Sequence, residues 1–112
     1  MPSPRFPIPQ GTLDMLLLQI LSLEAAHGYG IAQRLEQISR SVVRVNEGSL
    51  YPALHRLQQK GWLRGEWKQS ETGREARFYS LTPAGRRQLA VEKDCWARLS
   101  GAINLIFEEG SP

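Results

Sequence analysis

Between Gly48 and Gly61 the chain gathers Ser49, Tyr51, His55, Arg56, Gln59 and Lys60, with no acid among them. Hydroxyl, imidazole, amide, guanidinium and ammonium groups in one short stretch offer hydrogen bonds and positive charge. The chemistry they can do is recognition of a polyanion, with cations and hydroxyls on phosphate oxygens and flatter groups on base edges. They do not offer catalysis. No serine–histidine–acid set, glycine-rich phosphate loop or carboxylate pair occurs in the sequence, and His27, His55 and Cys95 are too scattered for a metal site. The expectation is a chain with no catalytic residue, no metal and no cofactor.

A helix must hold these groups on one side. Leu50, Leu54 and Leu57 recur at i, i+4 and i+7 with Ala53 beside them, which makes an apolar stripe opposite the polar face. With Ser49 as N-cap the helix starts at about Leu50, and Pro52 falls in the first turn, where its missing N–H has no intrahelical partner to lose. Ser49 and Tyr51 then stand at the N-terminal tip, and Gly61 stops the helix. A second set of cations comes from the next segment. Trp62 to Gln69 and Ala76 to Leu81 are rich in β-forming residues, and the polar run from Ser70 to Glu75 between them contains Gly73, so the pair predicts a hairpin. Lys68, Arg74 and Arg77 lie on or near its tip.

The remaining elements support these two. A first helix is expected from Thr12 as N-cap, with Asp14 in its first turn and Leu13, Leu16, Leu17, Ile20 and Leu21 on the helical period. A second helix is expected from about Tyr29 to Ile38, with Ile31, Leu35 and Ile38 inward and Gln33, Arg34, Glu36 and Gln37 outward. Val42, Val43 and Val45 fit either a brief strand edge or a docked loop. Thr82-Pro83 opens a last helix with a capping threonine and a proline at the first helical position. Leu89, Trp96, Leu99, Ile103 and Ile106 then follow heptad spacing, interrupted by Glu92. Because that helix follows three that can close a core, its apolar face is expected to pair with a second subunit.

Composition agrees. The 112 residues suffice for one domain with a core, and a net charge of +3 permits a polyanionic partner. The excess is uneven: ten Lys/Arg against seven acids up to Thr82, then four against four. A lone Cys95 fits a reducing compartment, and no apolar run reaches the roughly 18 residues of a membrane span. Prolines at 2, 4, 7 and 9 deny residues 1–10 the apolar core of a signal peptide and make them an extended arm. The expected location is cytoplasmic.

Four stretches carry a resemblance: Gly11-Thr12-Leu13-Asp14; His27-Gly28-Tyr29-Gly30-Ile31; Gly48 through Leu57 with Gly61-Trp62-Leu63; and Arg77 through Gly85. In this order, over roughly residues 11–95, the sequence resembles PadR-family transcriptional regulators of the short type with a single C-terminal helix. The resemblance implies a mainly α fold with a small β-hairpin, a winged helix-turn-helix plus a C-terminal dimerisation helix. The expected units are an arm at 1–10, a DNA-binding domain at 11–82 and the dimerisation helix at 83–110. It also implies a homodimeric repressor on a near-palindromic operator in double-stranded DNA, with an aromatic or hydrophobic small molecule relieving repression at the dimer interface. The DNA-binding candidates are Ser49, Tyr51, Pro52, His55, Arg56, Lys60, Lys68, Arg74 and Arg77; the effector candidates are Trp96 and Leu99.

Each candidate has a plainer reading. Tyr51 either meets DNA or braces the first helix, Arg56 either reads a guanine or holds a phosphate, and Arg77 either holds a phosphate or packs under the wing. Tyr29 and Gln33 either brace the DNA backbone or, for Tyr29, fill the core; Trp62 and Trp67 read as core and wing packing. Trp96 either stacks on a ligand or fills space between subunits. For the whole chain the rivals are a winged-helix module that docks an acidic protein, and a sensor whose DNA binding stays weak until it is partnered.

Overall fold

The computed structural model describes residues 11–109, which form four helices and a three-stranded sheet. The arm at 1–10 and the residues after 109 lie outside them. Helix α1, Thr12–Leu23, starts one residue earlier than expected, with Gly11 at φ 93° in the cap position and no side-chain cap. Leu17, Leu18, Ile20 and Leu21 are buried, and the helix touches every later helix and the third strand, so it is the hub its wide apolar girth predicts.

Strand β1, Ala26–His27, is not foreseeable from its two residues. It exists by pairing antiparallel with a later strand, Ala26 opposite Tyr79 and His27 opposite Phe78. Helix α2, Gly28–Ile38, follows at once, capped by His27, whose Nδ1 accepts from the Gly30 N–H at 3.1 Å. Ile31 and Leu35 are buried as expected, but Tyr29 and Ile38 are exposed. Ile38 is turned outward by the helix end. Arg40 N–H bonds to Gln37 O and Ser41 N–H to Glu36 O, a closure that drives Arg40 to φ 54° and Ser41 to φ 67°. Val42 to Val45 form no strand; the Ser39 hydroxyl accepts from the Val43 N–H at 2.9 Å, and Val45 packs on the core, so this is a docked loop.

Helix α3, Glu47–Gln59, begins three residues before its expected start. The cap is Asn46, whose Oδ1 accepts from the Ser49 N–H at 2.9 Å, so Ser49 is a helical residue. Pro52 consequently lies inside the helix, in its second turn, and cannot donate to the Gly48 carbonyl. Leu50, Ala53, Leu54 and Leu57 form the buried stripe. The helix ends in a Schellman turn, Trp62 N–H to Leu57 O and Gly61 N–H to Gln58 O, with Gly61 at φ 80°.

The hairpin comprises β2, Leu63–Gln69, and β3, Glu75–Leu81, in register from Leu63 opposite Leu81 to Gln69 opposite Glu75. With β1 on the other side of β3 the sheet order is β1-β3-β2. Helix α4, Pro83–Glu109, opens as expected: Thr82 Oγ1 accepts from the Gly85 N–H at 3.0 Å. The same hydroxyl donates to Gly61 O at 2.6 Å, and Thr82 N–H donates to Trp62 O at 3.1 Å, so α4 starts against the end of α3. Gly85 and Leu89 are buried. The core therefore requires the first turns of α4, contrary to the expectation that three helices close it, because α4 packs on α1 and brings Leu89 into the core.

Candidate nucleic-acid interface

Helix α3 holds its polar groups by burying the opposite stripe, and Ser49, Tyr51, Pro52, His55, Arg56 and Lys60 are all exposed. Ion pairing then sorts the candidate cations. Arg56 Nη2 lies 3.0 Å from Asp14 Oδ1, which ties it to α1 across 42 positions of sequence. Lys68 Nζ lies 3.0 Å from Glu66 on the same strand. By contrast Lys60, Arg74 and Arg77 make no ion pair among the described residues. Lys60 sits over the Trp62 ring at 4.9 Å and Arg77 over the Trp67 ring at 5.8 Å, contacts that hold a cation without neutralising it. Arg40 and Arg64, absent from the sequence candidates, are equally unpaired among the described residues. The alternation of β2, with Leu63 inward, is the signal that turns Arg64 outward.

Tyr51 is 45% exposed and braces the second helix, not the first. A methyl group built on Gly28 would lie 2.7 Å from both Cε1 and Oη of Tyr51, so the glycine leaves room for the ring at the start of α2. Arg77 fits its packing role as well as a charged one, since a methyl group on Gly65 would lie 2.8 Å from its Nε. Tyr29, 69% exposed, is no core residue; its ring lies 6.4 Å from His27, and with Gln33 it lines a shallow cleft whose wall includes Arg44 and Glu36, ion-paired at 3.1 Å. Trp62 packs on the core, whereas Trp67 is 65% exposed on the wing.

On α4, Trp96, Leu99, Ile103 and Ile106 are exposed, with Cys95 beside them. The two effector candidates are thus together on one face but not enclosed by their own chain. Among the described residues no group of three or more His, Cys, Asp or Glu could hold a metal, and no helix is long and apolar enough to cross a membrane.

A helix pair whose second member presents cations and hydroxyls, followed by a hairpin with unpaired arginines, defines a winged helix-turn-helix transcriptional regulator. The chain belongs to the PadR-like family of such regulators, whose family profile matches residues 17–91. It is 43% identical over 77 residues to a transcriptional regulator of Mycobacterium tuberculosis, a match covering 69% of this chain and 68% of that one. A crystal structure of a PadR-like transcriptional regulator from Bacillus cereus superimposes with a TM-score of 0.75 at 32% identity, over 88% of this chain and 93% of the other. A 37.1 kDa protein in a transposon of Streptomyces fradiae is 43% identical over 99 residues, 88% of this chain; the match spans only 26% of that relative's length.

Proposed function

We propose that the chain is a cytoplasmic, homodimeric repressor that binds a near-palindromic operator in double-stranded DNA and releases it when an aromatic or hydrophobic small molecule binds. Residues 11–82 meet the DNA, with the tip of α3 in the major groove. The helix at 83–110 pairs with its partner and places the two α3 helices about 34 Å, one helical turn, apart. The observation that carries this reading is the sorting of charge: Lys60, Arg74 and Arg77 remain unpaired among the described residues on α3 and the wing. Three such phosphate contacts from each protomer give a slope of log affinity against log salt of roughly −5. Ser49, Tyr51, Pro52 and His55 supply the groove-facing side. Arg56 and Lys68 join them by exchanging their carboxylates for phosphate.

The dimer reading rests on the exposed heptad face of α4. Trp96 and Leu99 lie near the middle of the helix, so a second copy would bring two such pairs together and enclose a flat apolar ligand. A gel shift with the upstream region of the protein's own gene tests the reading. The expected result is a band that survives competitor DNA and is lost in a Lys60→Ala, Arg74→Ala variant that stays dimeric. Binding that is indifferent to sequence, with capture of an acidic protein by the same face, would replace the regulator by an interaction module. Quenching of Trp96 fluorescence by aromatic compounds, with Trp62 and Trp67 controlled for, tests the ligand; a flat response refutes it.

A further inference from the structure

The wing carries a large ring that neither the core nor the α3 face accounts for. Residues two apart on a strand share a face, so Leu63, Gly65 and Trp67 of β2 lie on the side that also holds Leu81, Tyr79 and Arg77 of β3. Leu63 and Tyr79 are buried on that side, and β2 is the strand in contact with α3. Trp67 continues the same face past the edge of the core. There Trp67 is 65% exposed. Arg77, directly across the ladder, backs it at 5.8 Å and lies over Gly65, which has no side chain to displace it.

Leaving an indole in water forfeits a large burial gain, so the question is what covers it. The occupant is constrained by distance and by charge. At about 3.3 Å per residue, Trp67 stands roughly 13 Å beyond Leu63. With a helical turn of about 34 Å, the minor groove flanking a major-groove site is roughly 17 Å from its centre. The reach of the wing beyond the core is thus of the same order as that groove spacing, which makes the flanking minor groove the DNA surface within range of its outer half. Arg77 across the ladder and Arg74 on the turn have no acidic partner among the described residues, and the α3 end contributes Lys60. Against Glu66, Glu71 and Glu75 the hairpin, with Arg64, Lys68, Arg74 and Arg77, keeps an excess of one cation, and Lys60 adds to it, so a polyanion suits the ring's surroundings better than an apolar protein face.

We infer that Trp67, backed by Arg77, is a specificity-determining residue that enters the minor groove flanking each half-site and favours A·T pairs there. This inference rests on the operator-binding reading above. The indole Nε1–H can donate to adenine N3 or thymine O2, while the exocyclic amino group of guanine meets it with a second donor. Narrow A·T-rich grooves also concentrate negative potential on the guanidinium behind the ring.

The test uses a duplex that the full-length protein selects from random DNA, together with the same duplex carrying G·C pairs about half a turn outside each half-site. The selected flank is expected to be A·T-rich, with affinity falling about tenfold on the G·C exchange. Trp67→Phe keeps the ring and loses the donor, so it should bind both duplexes alike. Trp67→Ala should lose about tenfold on the selected duplex while the salt slope stays as in the parent, since no charge is removed. Thermal melting and solution mass of both variants should match the parent, because an exposed ring supports neither core nor dimer. Parental affinity and flank preference in both variants would overturn the inference, as would a lost dimer or a shallower salt slope in Trp67→Ala. If the parent protein selects no duplex at all, the operator reading itself falls.

Discussion

Glycine 85 allows the sharpest calculation. It is the third residue of α4, and a methyl group built there would lie 2.2 Å from the Trp62 carbonyl oxygen, 3.0 Å from its carbon and 2.7 Å from Leu81 Cδ1. The leucine can turn aside, but the carbonyl is backbone at the Schellman turn of α3 and accepts the Thr82 N–H at 3.1 Å. Relief requires α4 to move away by most of an ångström. Overpacking of this kind costs about 1–3 kcal/mol, and the helix preference of alanine over glycine returns up to about 1 kcal/mol. Gly101 is the internal control, because it lies in the same helix with nothing within 4 Å of an added methyl. In the heptad frame it also lies opposite the Trp96–Leu99 face. Gly85→Ala should therefore lose about 1 kcal/mol net, near 4 °C in Tm, while Gly101→Ala gains up to about 1 kcal/mol. Urea and thermal unfolding at one fixed protein concentration measure both, since a dimer's stability depends on concentration. If the two variants fall within about 0.5 kcal/mol of each other, the contact between α4 and the α3 end is not the close fit described.

Other perturbations separate roles that the sequence alone leaves merged. Asn46→Ala should cost about 1 kcal/mol of stability by removing the α3 cap, whereas Ser49→Ala should cost little, and urea titration of the pair distinguishes them. Arg40→Gly relieves a left-handed non-glycine residue and should raise stability by about 1 kcal/mol, read as a higher urea midpoint; an unchanged or lower midpoint would show that the side chain compensates for its backbone. Asp14→Asn releases Arg56 from its pair at a cost of at most about 1 kcal/mol in stability, and should tighten operator binding in low-salt gel shifts. Weaker binding would mean that Asp14 aims Arg56 instead of withholding it. Leu99→Glu should give a monomeric mass at micromolar concentration, and a dimer there would contradict the role of the heptad face.

Periodicity made much of this fold readable. The stripe of α3, the apolar girth of α1, the hairpin and the Thr82 cap each depend on residues near one another in the chain. What escaped was non-local or contested. Strand β1 is two residues long and exists only through β3, some fifty positions later. Asn46 and Ser49 are both good caps at helix spacing, and Asn46 takes the role, which puts Pro52 a turn deeper than expected. Leu89 satisfies heptad spacing and core packing equally, and where α4 packs on α1 it belongs to the core. On α3 and the wing, residue types marked out a polar, cationic face, but not which charges are free. The Arg56–Asp14 pair joins positions 42 apart, and only folding reveals it. Trp67 read as packing because an aromatic strand residue usually is; its exposure follows from how far the wing outruns the core.

The joint at Thr82 has a consequence for geometry. Its hydroxyl reaches Gly61 O at 2.6 Å, so the recognition helix ends where the long helix begins. In the proposed dimer each long helix is a lever pivoting near Leu99, with α3 fixed to its near end about 25 Å away at 1.5 Å per residue. A change of about 8° in the crossing angle then carries each α3 through roughly 3.5 Å, the height of one base-pair step in a turn of about 34 Å. Release from DNA would need no unfolding and no shift within the DNA-binding unit, only a small scissoring that leaves both readers out of step with the groove.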